Sequence, residues 1–448
     1  MEELRICSPS AHVGYGFPES SLREALNLNP HFIIAQGTSA DPGPYYLGSG
    51  RSYTERKGVK RDLELLICAA KERGVKLICS LGGAGARVHL ERALEIVNEI
   101  CRERGIKLKA AVIHGEIDKA WLSEKLRGGA KARRLVPLDR FPEYLTPEEV
   151  GRSRRIVAQM GPEPIMRALD LGVEAVFAGR ALDAALFAAP ALREGFDPAL
   201  SYHLAKVMEC GALAAVPGSG SDGLFAELRR DCFLVHPVNP QRRCTPYSVA
   251  AHSLYERPDP HREEMPGGFL DVTEAKYEQV DDRTVKVWGA RWEEKKPYTL
   301  KLEGAAPIGW RTISLACTRD PFLIARIEEV IGEVRDYVIS ALRLGGDHKL
   351  SFKIFGRPIS SSSEIFIIID AIAPSQEEAS GICAFARSAL LHWGFPGRKS
   401  TAGNLAFPFS PSDVEMGEVF IFNIWHALEL EDPCEPFRIE LREFPEGR

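Results

Sequence analysis

Through the first two hundred residues, short apolar runs alternate with longer amphipathic stretches, and each change of period falls near a glycine. Residues 32–35 are apolar and end abruptly in small and polar residues. Residues 60–73 carry apolar side chains at helical spacing and stop at Gly74, a natural end for a helix. Residues 75–80 predict a strand that runs into the glycine turn at 81–86. An amphipathic helix over 88–104, closed by Gly105, and a strand over 108–113 follow. Further on, a helix near 164–171 leads through Gly172 to a strand at 173–178, and an apolar helix extends to about Arg193. Strand, glycine loop, helix, strand is the order of βαβ units, because parallel strands need crossovers of this length. The expected fold class is therefore α/β with a mainly parallel sheet.

The pattern changes beyond residue 230. Residues 283–288, 298–302 and 311–316 predict strands, and 322–342 predict one amphipathic helix. The last hundred residues suggest a small α+β, ferredoxin-like unit with strands at 350–355, 365–372 and 418–425 and a helix at 377–392. The expected domains are a glycine-loop α/β domain over 1–230, a second α/β or α+β domain over 231–345, and the small C-terminal domain over 346–448. Residues 135–149 are proline-rich and suggest a long connection or lid.

Composition narrows the classes of function. A chain of 448 residues is too long for one core. Its 45% hydrophobic and 27% charged fractions are those of a soluble globular protein. A net charge of −5 leaves no basic footprint for nucleic acid. No stretch has the apolar length of a membrane span, and the first ten residues do not resemble a signal peptide. Ten cysteines without C-x-x-C pairs suit a reducing compartment, so a cytoplasmic location is expected.

Candidate chemistry gathers where predicted strands end, since open α/β sheets place ligands outside the carboxyl ends of their strands. In the expected loop 41–50, Asp41 supplies a charge, Tyr45 and Tyr46 supply flat surface with hydroxyl tips, and Gly43 and Gly48 allow close backbone approach. Gly82, Gly83 and Gly85 can present amides to an anion, but they lack the dinucleotide spacing and the G-K-[ST] of a phosphate loop. Arg180 and Asp183 follow a strand; the plainer alternative is an ion pair capping the next helix. Glu209 precedes Cys210-Gly211, and Ser219 lies in a flexible loop that would form a third wall. His252 and Glu256 are four apart and would share a helical face, with a simple surface pair as the alternative. Cys232, His236, Cys244 and His252 have no common zinc spacing, so no metal is expected. The loop 397–404 has two cations and two hydroxyls, suited to a phosphate or a carboxylate.

Seven stretches, in this order, resemble the acyclic terpene utilisation (AtuA-type) family. They are Asp41-Pro-Gly-Pro-Tyr-Tyr-Leu-Gly-Ser-Gly50, Leu81-Gly-Gly-Ala-Gly85, Phe177-Ala-Gly-Arg-Ala-Leu-Asp183, Glu209-Cys-Gly-Ala212, Ser248-Val-Ala-Ala-His-Ser-Leu-Tyr-Glu256, Leu302-Glu-Gly-Ala305 and Arg319-Asp-Pro321. The resemblance covers most of residues 30–335. It implies a bacterial or archaeal catabolic enzyme tied to branched acids or their coenzyme A thioesters, with no catalytic residue set to carry over. The expected activity is a lyase or hydratase acting on a small branched carboxylic acid or acyl-CoA without a redox cofactor. Asp41 is the first choice for general acid or base, with Asp183 and His252 next. The expected assembly is a homo-oligomer. The alternative is a non-catalytic ligand-binding subunit that needs a small companion protein.

Overall fold

The computed structural model describes residues 1–139, 141–255, 258–356, 364–399 and 402–447. The chain forms two compact units, Met1–Ala305 with Phe422–Arg448, and Ala306–Ile421.

The larger unit is built on a ten-stranded sheet. Across it the strands run Lys276–Gln279, Val285–Trp288, Phe233–Pro237, Leu224–Arg229, Glu3–Ser8, Phe32–Ala35, Lys76–Ser80, Ala175–Ala178, Leu108–Ile113 and Ile439–Phe444. The expectation of a mainly parallel sheet is wrong. Parallel pairing joins only the five strands from Glu3–Ser8 to Leu108–Ile113, with Ile6 opposite Phe32, Ile33 opposite Leu77, and Phe177 opposite both Cys79 and Val112. Every other neighbouring pair is antiparallel, so the sheet is mixed. The physical reason is the length of the connections. Leu224–Arg229 turns into Phe233–Pro237 through three residues, a link that admits only an antiparallel hairpin.

Side chains alternate across the central strands into two cores. Ile33, Ala35, Leu77 and Cys79 pack on one face with Leu63, Leu66 and Val97 of helices Arg56–Arg73 and Arg87–Arg104. Phe32, Ile34 and Ile78 join the other core, with Leu186, Phe187, Leu204 and Val207 of helices Asp183–Arg193 and Pro198–Met208. Burial on both faces is why these strands appear in the sequence as uninterrupted apolar runs. Helix Arg56–Arg73 starts where the Glu55 carboxylate accepts from the Lys57 and Gly58 amides, and it ends at Gly74 with φ 64°. That left-handed conformation suits a residue without a Cβ.

A second, antiparallel sheet includes the 21-residue strand Tyr298–Thr318, where two separate strands were expected. In the larger unit its residues 302–305 pair with Arg155–Ala158. In the smaller unit residues 310–318 pair with Ile365–Ala373, which pairs in turn with Lys349–Phe355. Helices Ile327–Ala341 and Gln376–His392 bury Val334, Val338, Ile382 and Cys383 against Ile367 and Ile369. The helix expected over 322–342 is interrupted at Arg326, and the loop expected over 41–50 contains a short helix, Pro44–Ser49. All ten cysteines are free thiols. Among the described residues, no helix is long and apolar enough to cross a membrane.

Candidate active site at the carboxyl edge of the parallel strands

Four parallel strands end at Ser8, Ala35, Ser80 and Ala178, and the segments that follow meet along one edge. After Ala35 the chain runs Gln36-Gly37-Thr38, with the Gly37 amide donating to Ser80 Oγ at 2.9 Å and the Gly83 amide donating to the Gly37 carbonyl at 2.8 Å. A Cβ on Gly37 would overlap the Ser80 carbonyl, so only glycine permits this approach. Arg180 is crowded in the same way. Its backbone lies where a Cβ on Gly85 or Gly115 would be.

Arg180 is buried and uses its whole guanidinium within the protein. Nε donates to Glu303 Oε2 at 2.9 Å and Nη2 to Oε1 at 3.3 Å. Nη1 donates to the carbonyls of Thr38 and Ala181 at 3.1 and 2.8 Å, and lies 3.6 Å from Asp183 Oδ1. Glu303 arrives on the strand Tyr298–Thr318 and also accepts from Gln159 Nε2 at 2.7 Å. Burial works to raise the Glu303 pKa, but the adjacent Arg180 charge and its hydrogen bonds hold it below the usual value. Lys301, two residues earlier, has its ammonium 4.0 Å from the Trp425 ring centroid, and burial lowers its pKa.

Asp183 behaves in the opposite way to Glu303. Burial pushes its pKa up to about 8; Arg180 opposes the shift, and Glu209 and Asp41 add to it. Its Oδ1 is buried with no hydrogen-bond partner among the described residues, and so are Ser8 Oγ, Gln36 Oε1 and Thr38 Oγ1. These atoms lie at or beyond the carboxyl ends of three of the parallel strands, Glu3–Ser8, Phe32–Ala35 and Ala175–Ala178. Buried polar atoms are nearly always satisfied, so such a grouping marks a place that a ligand can complete. Glu209 sits just beyond helix Pro198–Met208. Its carboxylate takes a hydrogen bond from Lys206 Nζ at 2.6 Å, and its carbonyl takes one from Gln36 Nε2 at 3.0 Å.

His12 and Tyr53 close another side. Tyr53 Oη lies 2.6 Å from His12 Nε2, and His12 Nδ1 lies 2.7 Å from the Val13 carbonyl. A carbonyl can only accept, so Nδ1 carries the proton and Nε2 receives the tyrosine hydroxyl. Burial lowers the His12 pKa to about 4 and raises that of Tyr53. The charges of Arg180 and Asp41 act on both residues.

Asp41 is exposed at the mouth, and its charge acts on Asp183, His12 and Lys301. Asp41, Arg180, Asp183 and Glu209 therefore share one electrostatic neighbourhood. Gly43 precedes the short helix with φ 93°, and the Tyr45 and Tyr46 rings meet edge to face at 5.3 Å. Tyr46 also meets Tyr53 at 5.6 Å, and the Gly48 carbonyl accepts from Arg155 at 2.5 Å. Gly82, Gly83 and Gly85 all have positive φ, and Gly83 backs onto Ser52 and Tyr53. Ser219 lies across a tight loop, its amide donating to the Ala212 carbonyl at 3.1 Å. His252 stacks on Tyr255 at 5.6 Å, on a helix, Pro246–Ser253, that packs against Pro198–Met208. Glu256 lies outside the described residues, as do Ser400 and Thr401 of the 397–404 loop.

The sequence reading did not single out His12, Tyr53, Lys301 or Glu303. Glu303 had a signal, a lone charge in the Leu302-Glu-Gly-Ala305 stretch, whereas nothing local distinguishes His12. Among the described residues, no group of three or more histidines, cysteines or carboxylates is placed to hold a metal ion. A carboxyl whose pKa burial raises toward neutrality, beside a cation and unsatisfied polar atoms, can hand a proton to a ligand or take one from it. A family model described as "Acyclic terpene utilisation family protein AtuA" matches residues 47–221 and 225–402. No curated protein and no solved structure matches the chain.

Proposed function

Because the chain belongs to the acyclic terpene utilisation family, we propose that it is a catabolic enzyme acting by proton transfer on a small branched carboxylic acid or its coenzyme A thioester. The reaction class is a lyase or hydratase. The observation that carries this reading is the Asp183 carboxyl at the carboxyl edge of the parallel strands, whose buried Oδ1 takes no hydrogen bond among the described residues and whose pKa burial pushes up to about 8. Adding or removing water or another small group beside a carbonyl needs a donor for one atom and an acceptor for the next, and two carboxyl groups in unlike surroundings supply both. Asp183 is the half-buried member and Asp41 the exposed one. Arg180 and Glu303 form the fixed base beneath Asp183. No nicotinamide or flavin step is proposed, because the glycine turns lack dinucleotide spacing.

The test is incubation of the purified protein with branched acids and their coenzyme A thioesters in deuterated water, followed by mass spectrometry. Solvent deuterium entering next to the carbonyl, and lost in Asp183→Asn and Asp41→Asn, supports the reading. If turnover appears only after a second protein is added, the chain is instead a ligand-binding subunit.

A further inference from the structure

A cavity of about 280 Å³ lies beside this cluster, on the face of the sheet covered by helices Arg56–Arg73 and Arg87–Arg104. Its inner wall is apolar and buried, formed by Val13, Leu81, Ala93 and Ile96. The wall also includes His89, but that ring brings no charge. Its nitrogens serve the Ala86 amide and the Tyr46 carbonyl at 3.2 and 3.0 Å, and burial lowers its pKa to about 4.

The rim is charged, and its charges are unequally engaged. Arg56 is paired with Glu99, and the charge of the rim carboxylate Glu95 acts on Arg56. Arg92 donates to the Gly50 carbonyl at 2.6 Å and has no ion-pair partner among the described residues. An apolar hollow ending at a guanidinium without an ion-pair partner suits a molecule with an apolar body and an anionic end. At roughly 30 Å³ for a water-sized group, the cavity holds about nine such groups.

We propose that this cavity binds a small aliphatic carboxylate, with its chain against Val13, Leu81, Ala93 and Ile96 and its carboxylate on Arg92. The cavity adjoins the acid–base cluster at Gly37 and Gly82, but its lining includes neither Asp183 nor Tyr53 and takes in the neighbouring Ser52 and Thr54. Whether Asp183 moves protons has no bearing on the binding.

Titration calorimetry on the full-length protein with butanoate, hexanoate, octanoate and dodecanoate tests the proposal. Affinity should peak at hexanoate or octanoate and fall for dodecanoate. Arg92→Gln should weaken carboxylate binding by about tenfold or more while leaving the matching alcohols unaffected, as expected for loss of one charge-assisted contact. Ala93→Leu should abolish binding by filling the hollow. Should that variant fail to fold, Ile96→Ala should move the preference to longer chains. Asp183→Asn should bind like the parent. Affinity indifferent to chain length, or equal loss of acids and alcohols in Arg92→Gln, overturns the proposal. Loss of binding in Asp183→Asn with Ala93→Leu unaffected would also overturn it, by locating the ligand at the acid–base cluster.

Discussion

Two arginines in the larger unit each hold a glutamate through two guanidinium nitrogens, and they do different work. Arg442, on the last strand of the main sheet, holds Glu91 of helix Arg87–Arg104 at 2.7 and 2.8 Å and also reaches Glu440 at 3.1 Å. Its side chain is 18% exposed, and hydrogen bonding to Arg442 lowers the Glu91 pKa. Each of the carboxylates Glu91, Glu440 and Glu446 there has a guanidinium within 3.6 Å, and the cluster fastens the strand to the helix. Arg180 is 5% exposed and its Glu303 partner 2%. Beside it, Asp183 keeps a buried oxygen that lies 3.6 Å from Arg180 Nη1 and accepts no hydrogen bond among the described residues. A carboxyl kept in such a place lowers stability, and a strongly shifted carboxyl beside a buried cation marks a candidate site.

Removing the glutamate from each pair separates the two arginines by the largest margin. Glu303→Gln strands the Arg180 charge in the interior, and loss of one partner from a buried pair costs about 3–5 kcal/mol. Urea unfolding should show a loss of this order. The same change at Glu91 should cost far less. Equal losses at the two positions would mean that burial does not separate the two arginines energetically.

Next in size is the pH response of Asp183. Its folded pKa lies above the unfolded one, so the native state binds the extra proton between them. The stabilisation from that proton is complete below about pH 4 and declines as pH rises toward 8. The slope is at most about 1.4 kcal/mol per pH unit and smaller in practice, because the side chain is 27% exposed. Asp183→Asn should flatten stability against pH over this interval and raise the melting temperature at pH 8. A variant that follows the parent curve would show that Asp183 titrates as an ordinary surface acid.

These contrasts also mark what could be seen in the sequence. The strands Phe32–Ala35, Lys76–Ser80 and Ala175–Ala178 stand out because burial on both faces makes them apolar runs, and the glycines after them stand out because backbone and Arg180 approach too closely for a Cβ. Pairing direction is not written in that pattern. Glu3–Ser8 mixes charged and apolar residues yet lies mid-sheet, and Ile439–Phe444 finds its partner more than three hundred residues back, at Leu108–Ile113. The same limit hid the Arg180–Glu303 pair. The two residues are 123 apart, and neither segment has a local feature that names the other.

A smaller effect belongs to Tyr53. Tyr53→Phe deletes the hydroxyl on His12 Nε2 and leaves a buried acceptor unpaired, at a cost of about 1–3 kcal/mol. Because His12 has a depressed folded pKa, its contribution to stability is present above about pH 6.5 and is lost as pH falls toward 4. The variant should therefore differ from the parent in the acid limb of a melting-temperature profile as well as in its plateau. An unchanged profile would mean that solvent already reaches the ring.

The smallest expected effect lies at Arg442, where it is the more telling for being small. A double-mutant cycle between Arg442→Gln and Glu91→Gln should give a coupling of roughly 0.2–1 kcal/mol, toward the upper end because the contact is bidentate. Raising the salt from 0.1 to 1 M shortens the screening length from about 10 to about 3 Å, so the coupling should shrink. The cost of Glu303→Gln should hardly respond, since salt does not reach a guanidinium that is 5% exposed. Salt then separates the two pairs without reference to absolute stability. If the Glu303→Gln cost also falls with salt, solvent enters the Arg180 cluster freely, and the high pKa of Asp183 loses the burial that causes it.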